Sequence, residues 1–344
     1  MGNVFETDNF LKNVYAKALE CESLANCGQD RVASLLEEKR NALFHALALD
    51  KLYEMFPAYK EFRADMFTLQ KEEKFDGYTL LRYHSETLPG LIAPFYVYKP
   101  DVQKTDAAVA FCCGHGNGAE EYTVPDDQIT EEFYHRRFPI RAAKAGYPVC
   151  MSEFMAFGPM RKTEFKPQYD MGTDCYADMT FLQECGLTLL GVRVHQTFMT
   201  IAFAKTLASK TYLAGISGGG QVTTMTSALC RELAGACVMG YANSFKGSVL
   251  AMHHCICNFV PGLMGIGEEF EILGLSAPTP LLFTSGDVDE IFPVDSAREC
   301  CEAVRGIYGR FGAGKAVEQV VFAGEHVVHP ASVIEWLDRL TCQA

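Results

Sequence analysis

Apolar residues recur at a helical period over the first part of the chain. Between residues 31 and 56 the sequence RVASLLEEKRNALFHALALDKLYEMF brings large apolar side chains back about every three or four positions, which is typical of a helix that packs by one face. The residues of this stripe include Leu35, Leu36, Leu43, Phe44, Leu47 and Phe56. We therefore expect residues 1–74 to form a helical N-terminal extension.

From residue 75 onward, short β-rich runs alternate with helical ones. The strand candidates are YTLLRYH, LIAPFYVYK, AAVAFCC, YPVCMSE, TYLAGI, ACVMGY, PLLFTSG and VEQVVFAG. Several of them are apolar without polar alternation, as expected for parallel strands that helices cover on both faces. The main helix candidates span residues 190–208, 219–233, 294–308 and 330–340. This order predicts an α/β fold with a doubly wound, mostly parallel sheet over residues 75–344.

Two stretches, residues 154–186 and 242–277, are too long and irregular to be simple connections. Long ordered loops in a compact α/β domain usually form lids or substrate walls. We therefore read both stretches as loop insertions of the domain that begins at residue 75.

Composition and charge restrict which binding partners and which cellular compartment we expect. The 344 residues are 49% hydrophobic, so they can bury a large core, and the formal net charge is -13. An acidic surface repels phosphate backbones and anionic lipid, which argues against nucleic acid and membranes as partners and favours a small-molecule substrate. The first residues lack the pattern of a signal peptide, and 14 cysteines without one suggest reduced thiols in a cytoplasm. The helical N-terminal region could cover the active site or make a dimer contact, so a homo-oligomer is an open alternative.

The sequence GISGGG, residues 215–220, lies between the apolar run TYLA and a predicted helix. A G-x-S-x-G motif at a strand-to-helix junction can present its serine on a strained turn above the sheet. Gly215 and Gly219 would avoid collisions with the neighbouring strand and helix, while Ser217 and the Gly218 amide would stand at a helix N-terminus that favours developing negative charge. The alternatives are an incidental serine or a phosphate-binding loop, but GGGQVT lacks the Walker lysine.

A serine nucleophile requires a base and an acid, which should follow it in the order acid, then histidine. The loop GDVDEIFP after a predicted strand offers Asp289 as the acid, while Asp287 is better placed to shape the turn. After the final strand, His326 is the expected base, and His329 reads as the residue that enters the last helix.

The loop FCCGHGNGAEEY should supply the second oxyanion donor, from the amide of Asn117 or, less favoured, of Gly118. Candidate substrate-pocket residues are His115, Glu153 and His254. The alternatives are a structural role for His115 and a solvated loop around Glu153.

A metal site is not expected from the sequence. HHCIC, residues 253–257, contains His and Cys, but structural zinc sites favour C-x-x-C spacing with a second ligand pair, and no such pair stands out. We expect one histidine of this segment to line the pocket and the cysteines to pack. We therefore predict no metal at this segment.

With HGNG, GISGGG, GDVDEIFP and GEH in this order, residues 75–344 resemble the α/β-hydrolase superfamily, within it the dienelactone-hydrolase-like and acetyl-xylan-esterase-like branch. The insertion MHHCICNFVPGL is similar to a segment of proteins assigned as bacterial acetyl esterases that carry a helical N-terminal region. The resemblance implies a triad of Ser217, Asp289 and His326 that cleaves short acyl, above all acetyl, esters of small or carbohydrate-like substrates without a cofactor.

This branch commonly has an Asp in the helix before the nucleophile strand, where the present chain has His195 and Gln196. That departure, with the missing export signal, favours an intracellular deacylase over an acetyl-xylan esterase. Peptidase or acyltransferase activity on the same triad, and a non-catalytic ligand-binding homologue, are the alternatives.

Overall fold

A nine-stranded mixed sheet runs through the computed structural model, which describes residues 7–116, 118, 134–161 and 175–342. The strands are β1 (Phe67–Phe75), β2 (Tyr78–Leu88), β3 (Leu91–Pro100), β4 (Ala107–Cys112), β5 (Val149–Ser152), β6 (Lys210–Ile216), β7 (Gly235–Met239), β8 (Leu281–Gly286) and β9 (Val317–Phe322). The helices are α1 (Asp8–Ala18), α2 (Val32–Ala46), α3 (Leu49–Met55), α4 (Phe138–Lys144), α5 (Cys175–Glu184), α6 (Leu189–Ala204), α7 (Gly218–Leu229), α8 (Glu269–Gly274), α9 (Val294–Gly309) and α10 (Pro330–Cys342).

The sheet order is β1-β2-β3-β5-β4-β6-β7-β8-β9. The six strands from β5 to β9 in this order are mutually parallel, and β1, β2 and β3 form an antiparallel meander that joins β5 in antiparallel register. All eight strands expected from the sequence are present, and the predicted α/β fold with a mostly parallel sheet is confirmed.

Helices on both faces explain why the parallel strands carry no polar alternation. Every residue of β4, β5, β7 and β8 is buried. A strand covered on both faces has no solvent side, so both sets of alternating side chains are apolar or small. These strands are therefore visible in the sequence as continuous apolar runs.

The helical N-terminal region is shorter than expected, because β1 occupies part of the range predicted as helix. α3 ends at Met55, and residues 67–75 pair with β2 as an edge strand. Only Phe67 of β1 is buried, and the segment QKEEK within it is mostly exposed. An edge strand pairs its backbone on one side only, so charged side chains are compatible with its place in the sheet. Because these side chains interrupt any apolar run, β1 could not be recognised as a strand from apolar residues.

The N-terminal helices are integrated with the sheet domain. α2 packs on α7 and α3 on α6, and the buried side chains of Leu43 and Leu47 belong to the same hydrophobic core as the central strands. The Arg40 guanidinium donates hydrogen bonds to the carbonyls of Ala228 and Leu275, at the ends of α7 and α8. α2 thus supplies hydrogen-bond donors to carbonyl groups at the C-terminal ends of α7 and α8.

Each of the two predicted insertions contains a helix: α5 lies in residues 154–186, of which 162–174 are outside the described part, and α8 lies in residues 242–277. No single described helix is both long enough and apolar enough to cross a membrane. One bent pair, α5 with α6, meets the requirements for a membrane span in length and composition only.

The strand order places a switch point at β4. From β4 the chain moves to β5 on one side and then crosses to β6 on the other side. In such sheets the crevice at the carboxyl ends of the strands on either side of the switch point is where ligands bind. The loops that follow β4 and β6 both open into this crevice.

Candidate active site

Ser217 lies on a strained turn between β6 and α7. Its backbone has φ 56° and ψ -122°, a conformation that residues with a side chain rarely adopt. The Ser217 N–H donates to the carbonyl of Met239 at 3.0 Å, and the Ser217 carbonyl accepts the first hydrogen bond of α7 from Gln221 at 2.9 Å. The residue is therefore fixed on both sides while its side chain remains partly exposed.

The glycines around Ser217 are required by close approach. A Cβ at Gly215 would lie 2.3 Å from the Gly219 carbonyl oxygen, and a Cβ at Gly219 would lie 2.1 Å from the Cys112 carbonyl oxygen in β4. Both distances are far below a normal contact between carbon and oxygen atoms. The helix, the strand before it and the adjacent strand can pack at this distance only without side chains at these two positions.

The partly buried His326 pairs with the buried carboxylate of Asp289. His326 Nδ1 lies 2.8 Å from Asp289 Oδ2, and the side chains are 14% and 1% exposed. The other carboxylate oxygen, Oδ1, accepts the backbone N–H groups of Ile291 and Phe292, both at 2.9 Å. Asp289 is thus fixed by its own loop, and it in turn orients the imidazole.

The other acidic residues and the other histidine of these two loops make different contacts. Asp287 is exposed and accepts the Gly324 N–H at 2.9 Å, which links two loops in the way expected of a turn residue. Glu290 is also exposed. His329 bonds the Ser332 hydroxyl at 2.7 Å in the first turn of α10, as a helix-entry residue does. Asp289 and His326 are the members of these two loops that come together.

The imidazole of His326 lies beside the Ser217 turn. A Cβ at Gly240 would be 3.0 Å from His326 Cε1, and Gly240 directly follows Met239, whose carbonyl binds the Ser217 N–H. The rings of Phe292 and Tyr134 stack on the imidazole with centroids 5.5 Å and 5.7 Å away. His326 Nε2 is buried and bonds no partner among the described residues.

The loop after β4 approaches the same turn. Asn117, the expected oxyanion donor, lies outside the described residues, so its prediction stays a prediction. Gly118 has φ 60°, and Gly218 is the first residue of α7. His115 packs directly against this helix end, because a Cβ at Gly218 would lie 2.5 Å from its Nδ1. The loop after β4 and the N-terminus of α7 are therefore in contact at His115 and Gly218.

The three predicted pocket residues differ in their surroundings. Glu153 is fully buried rather than at an open mouth, and a Cβ at Gly118 would collide with its carboxylate. His254 is half-buried, bonds the Ser248 hydroxyl at 3.2 Å and packs on Phe292, the ring that also stacks on His326. Burial is the main cause that lowers the pKa of His254. Through Phe292, His254 lies near the histidine that pairs with Asp289.

His115 also belongs to a cluster that the sequence does not reveal. Its Nε2 lies 3.0 Å from Cys257 Sγ, which is 3.4 Å from Cys255 Sγ. With Cys175 Sγ, these ligand atoms lie within 4.8 Å of one another. The cluster combines the loop after β4, the start of α5 and the segment around residues 255–257.

Ionisation is unevenly distributed in this cluster. Hydrogen bonds from Cys255 and Cys257, and then the charge of Arg193, lower the pKa of Cys175 against the effect of burial. Hydrogen bonds to Cys175 raise the pKa of both Cys255 and Cys257. Arg193 Nη2 lies 3.1 Å from Cys175 Sγ. Cys175 is therefore the cysteine of the cluster that this arginine contacts.

Cys175 and Arg193 are functional candidates that the sequence analysis missed. No local motif surrounds either residue, and the described contact partners of Cys175 in the cluster are distant in sequence. Only the convergence of the loops shows that the C-x-C segment has further ligands nearby.

No protein-family profile and no curated protein matches the sequence. Solved structures do match the fold. A protein from Bacteroides fragilis assigned as an acetyl xylan esterase aligns with a TM-score of 0.75 and 15% identity, over 98% of this chain and 96% of that one.

Two further structures are similar over most of the chain. The methylesterase BT1017 has a TM-score of 0.64 and 20% identity, over 88% of this chain and 63% of its own. A glucuronoyl esterase from Solibacter usitatus has a TM-score of 0.58 and 14% identity, over 80% of this chain and 84% of its own. At these identities the likeness shows the fold.

Proposed function

We propose that this chain, which has the fold of the α/β-hydrolase-type esterases, is a serine hydrolase of carboxylic esters. The observation that carries the proposal is the His326–Asp289 pair beside a serine on a strained strand-to-helix turn. A histidine with a purely structural role would normally have both ring nitrogens hydrogen-bonded. In His326 one ring nitrogen pairs with a buried carboxylate, while the other has no partner among the described residues and is available to accept a proton.

In the proposed mechanism, the Ser217 hydroxyl attacks the ester carbonyl carbon while His326 Nε2 accepts its proton. Asp289 holds the other ring nitrogen in the protonated form, so that Nε2 is the basic atom. The acyl group is then bonded to Ser217, and His326 returns the proton to the departing alcohol. Water, activated by the same imidazole, releases the acid and restores the serine.

The oxyanion of the tetrahedral intermediate would be stabilised at the N-terminus of α7. The Gly218 amide starts this helix, where backbone N–H groups have no partner within the helix. The second donor in this proposal is the amide of Asn117, two residues after His115 in the loop that touches Gly218. Each donor of this kind contributes about 3 kcal/mol to stabilising the transition state.

Short acyl esters, above all acetyl esters of carbohydrate-like alcohols, are the substrates that we propose. Support comes from the acetyl xylan and glucuronoyl esterases of the same fold. A chain with 14 cysteines suits a reducing compartment, so we place the reaction in the cytoplasm as part of this proposal. Neutral acylated sugars fit the acidic surface better than anionic substrates do.

The test is a series of p-nitrophenyl esters of rising acyl length, with acetylated sugars, on the wild type and Ser217→Ala. We expect the variant to lose at least about 10³-fold in kcat, because the nucleophile is gone. Ser34→Ala on the exposed face of α2 is the matched control and should retain full activity.

A variant at Ser217 that keeps most of the wild-type turnover would contradict the proposed nucleophile. Added alcohol acceptors separate hydrolysis from acyl transfer, since an acyltransferase forms a new ester under these conditions. Peptide amides turned over as fast as the matched esters would favour a peptidase instead.

A further inference from the structure

We propose that His115, Cys175, Cys255 and Cys257 bind one Zn²⁺ ion in a closed, structural site next to the Ser217 turn. The cluster brings one nitrogen and three sulfur atoms within 4.8 Å of one another. In a tetrahedral zinc site, with Zn–S of about 2.3 Å and Zn–N of about 2.0–2.1 Å, sulfur atoms stand about 3.8 Å apart and nitrogen and sulfur about 3.5 Å apart.

The observed spacing lies close to these values. His115 Nε2 and Cys257 Sγ are 3.0 Å apart, and the sulfurs of Cys257 and Cys255 are 3.4 Å apart. Changes of about 0.5 Å and about 0.4 Å would bring these two spacings to the tetrahedral values, and the other pairs of ligand atoms lie within 4.8 Å of one another. Three thiolates and an imidazole form one of the common ligand sets of structural zinc, and soft sulfur ligands disfavour Mg²⁺ and Ca²⁺.

The charge around the cluster supports a bound dication. Arg193 is 1% exposed, its guanidinium lies 4.1 Å from the ring centre of Phe157, and Nη2 lies 3.1 Å from Cys175 Sγ. Zn²⁺ with three thiolates and a neutral imidazole carries a net charge of -1. A buried charge requires a counter-charge nearby, and the arginine supplies it. Both Nε and Nη2 also donate to the carbonyl of Met155, which fixes the guanidinium in place.

A metal at HHCIC was not expected from the sequence, because no second ligand pair stands out there. The fold provides that pair, since His115 and Cys175 come from the loop after β4 and the start of α5. With four protein ligands no position remains for substrate, so the ion would be structural rather than catalytic. It would tie both insertions to the loop that we expect to carry an oxyanion donor.

Metal content tests the site independently of ester hydrolysis. The full chain, purified under reducing conditions from zinc-supplemented cells and dialysed, should contain about one zinc ion per chain. The double variant Cys255→Ser/Cys257→Ser should lose it. Cys185→Ser, which changes an exposed thiol just beyond α5, is the matched control and should keep the metal at the wild-type level.

Two further measurements keep the test decisive if the double variant folds poorly. Cys255→Ser changes a thiol that is only half-buried, so the fold should persist, as circular dichroism can verify, while zinc is lost. Wild-type chain reconstituted with Co²⁺ should show the visible bands of a tetrahedral thiolate complex. Folded wild type that takes up no zinc, whether its thiols are reduced or joined in a disulfide, overturns the proposal, as does equal zinc in wild type and Cys255→Ser.

Discussion

The strained turn at Ser217 has a measurable consequence for stability. With φ 56° and ψ -122°, any residue that carries a Cβ is strained there, whereas glycine is not. Ser217→Ala and Ser217→Gly both remove the hydroxyl, so both should be inactive in ester hydrolysis. They differ only in the Cβ, so their difference in unfolding free energy reports the strain.

The magnitude follows from two opposing effects. A residue in such a conformation costs about 1–3 kcal/mol, while glycine loses about 0.4–1 kcal/mol relative to alanine through the entropy of the unfolded chain. Ser217→Gly should therefore be more stable than Ser217→Ala by about 1 kcal/mol. At a position without backbone strain, the alanine variant would instead be more stable than the glycine variant. Gly306, within α9 and three residues before its end, with nothing within 4 Å of an added Cβ, is such a position.

Urea denaturation of the four proteins, wild type, Ser217→Ala, Ser217→Gly and Gly306→Ala, provides the comparison. Gly306→Ala should be more stable than the wild type by about 0.5–1 kcal/mol, as is usual in a helix interior. If glycine is less stable than alanine at position 217 by the same amount, the turn stores no strain and the reasoning from its backbone angles is wrong.

Three further predictions address the His326–Asp289 pair, the N-terminal helices and the buried carboxyl group of Glu269. Asp289→Asn should lower kcat for ester hydrolysis by about 10³–10⁴-fold while the exposed Asp287→Asn leaves it unchanged, and equal effects would reject the assignment of the acid. Leu43→Ala, at a fully buried position of α2, should cost about 2–5 kcal/mol in urea denaturation, against less than about 0.5 kcal/mol for Leu11→Ala on exposed α1; a small effect at Leu43 would mean that α2 is detachable. Burial, with a neighbouring carboxylate, raises the pKa of Glu269 well above its usual range, so the wild type loses stability as the pH rises from below the unfolded-state pKa through the raised value; Glu269→Gln should match the wild-type Tm in acid and exceed it near neutral pH, and a constant difference would contradict this.

The sheet could be predicted where burial on both faces leaves a mark on the sequence. β4 and β8 are continuous apolar runs because no side of them meets water. β1 could not, since an edge strand is held by backbone hydrogen bonds and tolerates a stretch such as QKEEK. The expected helical region consequently extended too far towards the sheet.

The Ser217 turn was predictable because its constraints are local. Gly215 and Gly219 are four residues apart, and each would collide with backbone if it had a side chain. The proposed partners of the serine were predicted from chain order, and the position of Asp289 within its loop favoured it over the other carboxylates there. Burial distinguishes them in the structure, since Asp289 as a whole residue is only 5% exposed, whereas Asp287 lies on the surface. That difference arises from how the loop folds back on His326 and has no counterpart in residue type.

The thiol–imidazole cluster could not be predicted by the same means. Spacing rules for zinc identify ligands that one short motif supplies, but His115 and Cys257 are 142 residues apart. They meet because the loops after the parallel strands open into one crevice at the switch point, which also gathers Ser217, Asp289 and His326. His115 touches the helix end at Gly218. An ion that fixes this ring would therefore fix the distance between the two proposed oxyanion donors, so its loss should impair the reaction without any contact between metal and substrate.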